Sequence, residues 1–309
     1  MLFGTSTEQT RRKGAIALAP ADSSARVVYR HAWPVRIFHW INAVSFVLLL
    51  MSGLQIFNAY PRLHWGHDGY QGMPAAFEIG GVPDLTRRLS WVQFGSYRID
   101  TSGTLGVAKE IPLEGVKNIA FPPWLTLPSA TGDLASGMGW HFMMLWVLII
   151  NLGIYVLYGV ASGRFWRELL PNRGQLRMHS IGQDIWRHLC FKRSVGMEAL
   201  SYNLLQKMSY IAVLFVLLPA MILTGLTMSP SAVAAFPGLI DLFHGRQTAR
   251  TLHFIFASVL VLFVLVHLFQ VIISGFRNHM RSITTGFFVI AETEDCEDMD
   301  NSTQVAPGR

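Results

Sequence analysis

Residues Thr251–Ser274 read TLHFIFASVLVLFVLVHLFQVIIS, an uncharged apolar run interrupted by two histidines, His253 and His267. A run of that length predicts a helix able to cross about 30 Å of hydrocarbon. The histidines are fourteen residues apart; at about 100° per residue, that spacing returns to within about 40° of the starting direction. Both imidazoles therefore leave one face, roughly 21 Å apart along the axis. An ionisable side chain inside a span is costly and by default functional. Imidazole nitrogen is a standard axial ligand for haem iron, so this one helix predicts two haem sites at two membrane depths.

Working outward, the composition agrees with a membrane setting. The 309 residues are 51% hydrophobic and only 14% charged, with a mean hydropathy of +0.35, which is too apolar for an ordinary soluble domain. Three further runs of spanning length are Val35–Phe57, Trp140–Val160 and Tyr210–Met228. The expected fold is an all-α integral membrane protein, a bundle of four transmembrane helices.

Orientation follows from Lys and Arg in the connections. Residues 1–36 hold six, residues 161–207 hold eight, and the longer segment 58–137 holds six beside seven acids. The positive-inside rule then places both termini and loop 161–207 in the cytoplasm, with loops 58–137 and 229–249 outside. The expected organisation is a cytoplasmic arm (1–34), a cytochrome domain (35–273) and a cytoplasmic tail (274–309) whose acidic stretch Glu292–Asp300 is expected to be disordered. Arg11-Arg12-Lys13 precedes an uncharged run from Gly14 to Pro20 that is marginal as a secretory h-region, so the arm is read as uncleaved. The bacterial inner membrane is the expected location. The pI near 9.5 reflects basic residues facing anionic headgroups, with no call for a nucleic-acid partner.

With that topology, the other intraspan histidines pair by depth. His39 lies at the cytoplasmic start of the first helix and matches His267; His141 lies at the external start of the second and matches His253. Each pair is a candidate bis-histidine haem site, which leaves iron six-coordinate and suited to electron transfer. The other histidines carry weaker signals. His31 and His279 flank the spans as solvated or headgroup-facing residues; His64 and His67 frame Trp65-Gly66 with a spacing that weakly suggests a metal, surface contact being the expected reading; His179, His188 and His244 have no paired signal. Gly53 and Gly225 are ordinary helix-packing glycines or, alternatively, room for a flat porphyrin. Pro219 predicts a kink in the third helix.

The two cysteines, Cys190 and Cys296, provide neither a Cys-x-x-Cys-His attachment site nor an iron–sulfur ligand set, so the haems are expected to be noncovalent, b-type. The sequence contains no phosphate-binding glycine loop, dinucleotide fingerprint or nucleophile elbow. A proton or solute transporter using membrane histidines is an alternative, although Asp, Glu and Lys are missing from the predicted spans. A structural anchor subunit is another, and it leaves the four histidines without a purpose. The loop 58–137 carries Trp65, Trp91, Phe94, Tyr97 and Trp124, a composition suited either to a partner interface or to a self-packed cap over the outer site.

The motifs Val35-Arg36-Ile37-Phe38-His39-Trp40, Trp140-His141-Phe142 and Leu252-His253-Phe254 with His267 resemble the membrane cytochrome b subunits of nickel-iron hydrogenases, formate dehydrogenases and thiosulfate-reductase-type complexes. The resemblance covers residues 30 to 280. It implies two b haems held in the pairing above, with quinone or quinol reacting near the cytoplasmic haem. The segments FPPWL (121–125), LTGLTMSP (223–230) and GRQTAR (245–250) are similar to the branch that accompanies periplasmic molybdopterin oxidoreductases. The implied function is electron transfer between the quinone pool and a periplasmic redox enzyme, of the molybdopterin type in preference to a hydrogenase.

Overall fold

The computed structural model describes residues 25–70, 72–83, 88–111, 115–129, 133–163, 165, 170 and 204–291. The arm before residue 25, Trp166, His179, His188, Cys190, Cys296, most of loop 161–207 and the acidic stretch Glu292–Asp300 lie outside the described residues. Four helices are long and apolar enough to cross a membrane: α1 (Trp33–Ala59), α2 (Leu134–Ala161), α3 (Leu204–Met228) and α6 (Arg246–Ile273). Short helices α4 (Pro230–Ala235) and α5 (Gly238–Leu242) link α3 to α6.

The burial pattern is that of a membrane bundle. Ser45, Ser52, Asn151, Thr224 and Thr227 are buried, whereas Ile150, Leu157, Val216, Leu262 and Ile272 are exposed. Lipid solvates the large apolar side chains as well as a protein core does, so small and hydrogen-bonding residues take the helix contacts. Helix α1 packs along α2, and α3 packs along α6, while contact between the two pairs is sparse. Asn151 locks the first pair by donating to Phe38 O at 3.2 Å and Asn42 Oδ1 at 2.6 Å.

Helices α2 and α6 begin earlier than hydropathy alone expects, because polar groups cap their ends. Asp133 Oδ1 accepts from Ser136 N at 2.9 Å and starts α2; the hydrogen bonds from Ser136 hold the Asp133 carboxyl below its usual range. At the start of α6, Gly245 has φ +120° and no side-chain cap. The Gly66 carbonyl supplies the missing acceptor, taking hydrogen bonds from Gln247 N and Thr248 N at 3.1 and 3.2 Å. The kink expected at Pro219 takes the form of a π-helical turn, Val213–Leu217, closed by Leu218 N–H on Val213 O. The wider turn relieves the clash of the proline ring with the preceding turn.

Loop 58–137 forms a β cap. Strands β2 (Arg62–Leu63), β3 (Phe77–Pro83), β4 (Arg88–Phe94) and β5 (Tyr97–Asp100) make an antiparallel sheet in that order, beside a hairpin of β6 (Val107–Ile111) and β7 (Gly115–Ile119). Its core of Leu63, Ile79 and Ala120 joins Phe57 at the end of α1, with Phe254 of α6 packed against it. At the opposite end, residues after Ser274 form amphipathic helix α7 (Phe276–Thr285) and β8 (Phe287–Ala291), which pairs antiparallel with β1 (Ala25–Tyr29). The first part of the expected tail is thus built into the fold.

Candidate functional site

The bundle brings His141 of α2 and His253 of α6 together across the sparse seam between the two helix pairs. Their ring centroids are 6.3 Å apart, with the planes inclined at 61°. That spacing matches two metal–nitrogen bonds of about 2 Å plus the distance of about 1.2 Å from each nitrogen to its ring centre. The donor set therefore fits a metal held between two imidazoles, as in a bis-histidine haem.

The two histidines have matching surroundings. Ser52 Oγ on α1 lies 3.0 Å from His141 Nδ1, and Thr224 Oγ1 on α3 lies 3.0 Å from His253 Nδ1. The residue after each hydroxyl is a glycine. A Cβ at Gly53 would come 3.5 Å from His141 Cε1, and one at Gly225 would come 3.4 Å from His253 Cε1. These are ordinary contacts, so the imidazoles alone do not require glycine at either position. Sequence reading singled out the glycines and missed Ser52 and Thr224. The available signal was a hydroxyl immediately before glycine in two different apolar helices.

Above this pair sits the aromatic floor of the cap. Phe254, adjacent to His253, stacks on Phe57 with centroids 4.8 Å apart and lies 5.3 Å from Phe77. The cap is tied to α6 by Arg250, which donates to the carbonyls of Tyr60 and Arg62, and by Thr251, whose Oγ1 donates to His64 O at 2.7 Å. His64 departs from its expected surface role. It is 1% exposed, with Nε2 3.1 Å from Tyr60 Oη and Nδ1 3.3 Å from Pro74 O. Those partners, one of them a local tyrosine, make burial of the ring affordable. His67 and His244 are exposed.

His39 and His267 occupy the other end of the bundle, close enough to interact electrostatically. Trp40 meets the His39 ring edge-on at 5.5 Å, and Phe263 stacks on His267 at 6.2 Å. His39 Nδ1 is buried with no hydrogen-bond partner among the described residues. Beside this pair an apolar groove of about 360 Å³ opens between α1 and α7, lined by Trp33, Ile37, Trp40 and Ile41 on one side and Ile283 and Thr284 on the other, with Arg36 in its wall. Arg36 Nη1 donates to Thr284 O at 2.6 Å, while its buried Nε has no partner among the described residues. His279, expected to face headgroups, instead packs edge-on to Phe288 at 5.5 Å. Burial, helped by nearby Arg30 and His267, lowers its imidazole below the usual value.

Four apolar helices with a histidine pair across their seam define a membrane cytochrome b architecture. The prokaryotic cytochrome b561 family matches residues 30–286, so the chain belongs to that family and is a multi-pass membrane haem protein. It is also similar to the putative protein-methionine-sulfoxide reductase subunit YedZ1 of Azospira oryzae, with 27% identity over 237 residues that cover 77% of this chain and 87% of that protein. No solved structure matches the chain.

Proposed function

We propose that this chain is a two-haem b cytochrome of the inner membrane. It passes electrons between the quinone pool and an oxidoreductase docked outside on the β cap. His141 and His253 would hold the haem under the cap, and His39 and His267 would hold the haem at the other end. The observation that carries this reading is the 6.3 Å separation of His141 and His253, since each comes from a different helix pair and neither is otherwise needed to join them. The haems would supply reversible one-electron chemistry. The chain's own contribution is to hold the two pairs at different depths, set by His253 and His267 on α6, about 21 Å apart by helix rise.

The basic residues of the arm and of loop 161–207 favour a cytoplasmic position for the His39 and His267 end. The groove there has the character that a quinone ring and tail need: indole and isoleucine walls, and a buried arginine N–H able to donate to a carbonyl. Trp40 lines this groove and also touches His39, which keeps a bound ring one side chain away from the proposed ligand. The name of the Azospira protein supports a protein-methionine-sulfoxide reductase as the kind of partner, and the expected cofactor of that partner is molybdopterin.

The direct test is a pyridine haemochrome assay on fully loaded purified protein, which is expected to return two b haems per chain. His141→Ala or His253→Ala should each leave one. A wild-type value of one or none overturns the two-haem assignment.

A further inference from the structure

The matching contacts around His141 and His253 fix more than position. Ser52 and Thr224 are fully buried, and each hydroxyl has a single proton to donate. Ser52 Oγ spends it on its own helix, lying 2.7 Å from Leu48 O and 3.1 Å from Leu49 O. Thr224 Oγ1 does the same at 2.8 Å from Ala220 O and 3.0 Å from Met221 O. Toward the imidazoles both oxygens therefore present lone pairs, so in each 3.0 Å contact the ring Nδ1–H is the donor. A neutral imidazole that carries its proton on Nδ1 has its lone pair on Nε2.

Resting on the ligand assignment above, we propose that Ser52 and Thr224 are positioning residues. They hold His141 and His253 in the Nδ1–H tautomer with Nε2 free for iron, and by accepting from Nδ1–H they lower the midpoint potential of the haem under the cap. An acceptor at the outer ring nitrogen makes the imidazole a stronger electron donor, which favours the ferric state. A hydroxyl already donating to a carbonyl is polarised into a better acceptor. The arrangement occurs twice, Ser52-Gly53 against His141 and Thr224-Gly225 against His253, so both proposed ligands are tuned in the same direction. His39 Nδ1 has no such partner among the described residues.

Potentiometric titration of the membrane-bound holoprotein, with Ser52→Ala, Thr224→Val and the double variant, tests this. Each single variant should raise one of the two haem potentials, shifting the ferrous-to-ferric ratio at fixed potential by about threefold, the order expected when one neutral hydrogen bond is felt unequally by two oxidation states. The double variant should shift it by about the product of the two, and the other haem should not move. Low-spin electron paramagnetic resonance of the shifted haem should change with it. Thr224→Ser keeps the hydroxyl and should keep the wild-type potential, even if Thr224→Val loses haem. Unchanged potentials in both deletion variants, or haem loss in Thr224→Ser as well, would overturn the proposal. His141→Ala separates this from the ligand assignment. If it removes one haem while the Ser52 and Thr224 variants shift neither potential, the ligands stand and the tuning role falls; if it leaves both haems in place, the assignment itself fails.

Discussion

The cap end and the tail end of the bundle place the same residue type on the same helix in opposite surroundings. His253 is hydrogen-bonded by Thr224, opposed by His141 and roofed by the Phe57, Phe77 and Phe254 cluster. His267 is stacked on Phe263, and its neighbour His39 lies beside an open apolar groove. A site that only relays electrons gains from being closed, because fixed dipoles and excluded water keep it in one geometry. A site that exchanges electrons with a diffusing amphiphile needs a door. Under the proposed function, the closed cap end suits relay and the open tail end suits exchange.

The largest effect that could break this contrast is expected for His267→Ala. It should abolish reduction of the cap-end haem by a short-chain quinol while leaving that haem reducible by an artificial donor acting from the cap side, as read by stopped-flow absorbance in membranes. If quinol still reduced it at the native rate, the entrance would lie at the cap end and the two roles would be exchanged.

A smaller effect tests how firmly the closed site is closed. Arg250→Met removes the donors to the Tyr60 and Arg62 carbonyls, and should loosen the cap by about 2 kcal/mol, the scale of hydrogen bonds from a charged group. Limited proteolysis of the cap in detergent should accelerate, with the haem of His39 and His267 undisturbed. Equal protection in the variant would show that the cap is held by its aromatic core alone.

The smallest effect concerns docking. Trp91 belongs to β4, and its ring packs close enough to Gly80 that a Cβ there would meet it at 2.6 Å. Replacing the whole segment from Trp91 to Tyr97 would therefore dismantle the cap, whereas Tyr97, 80% exposed at the β4–β5 turn, can be changed alone. Tyr97→Ser should slow electron delivery to the partner by a few-fold with haem content and spectra unchanged, consistent with an aromatic interface anchor. Unchanged delivery would make the cap a cover alone.

The spans were legible because hydropathy is summed over a local window, and the helix starts were not, because their caps are set by single contacts. The start of α6 depends on the Gly66 carbonyl, a residue far away in the chain. The β cap was equally hidden. Its strands run from two to seven residues, and β5 is exposed on both faces, so the alternation in Tyr97-Arg98-Ile99-Asp100 marks no core face. His64 looked like a surface residue because nothing near it in sequence announces the Pro74 carbonyl or the Thr251 hydroxyl that bury its neighbourhood.

By itself the sequence determined that this is a four-helix membrane protein, and it singled out His39, His141, His253 and His267, because length, apolarity and helical period are properties of contiguous residues. Only the tertiary structure decided which groups meet those histidines. Ser52 and His141 are 89 residues apart, and Thr224 and His253 are 29 apart on different helices. Whether a hydroxyl reaches an imidazole depends on how each helix is turned about its own axis against its neighbour, and that rotation is set by packing between helices, not by the pattern along any one of them.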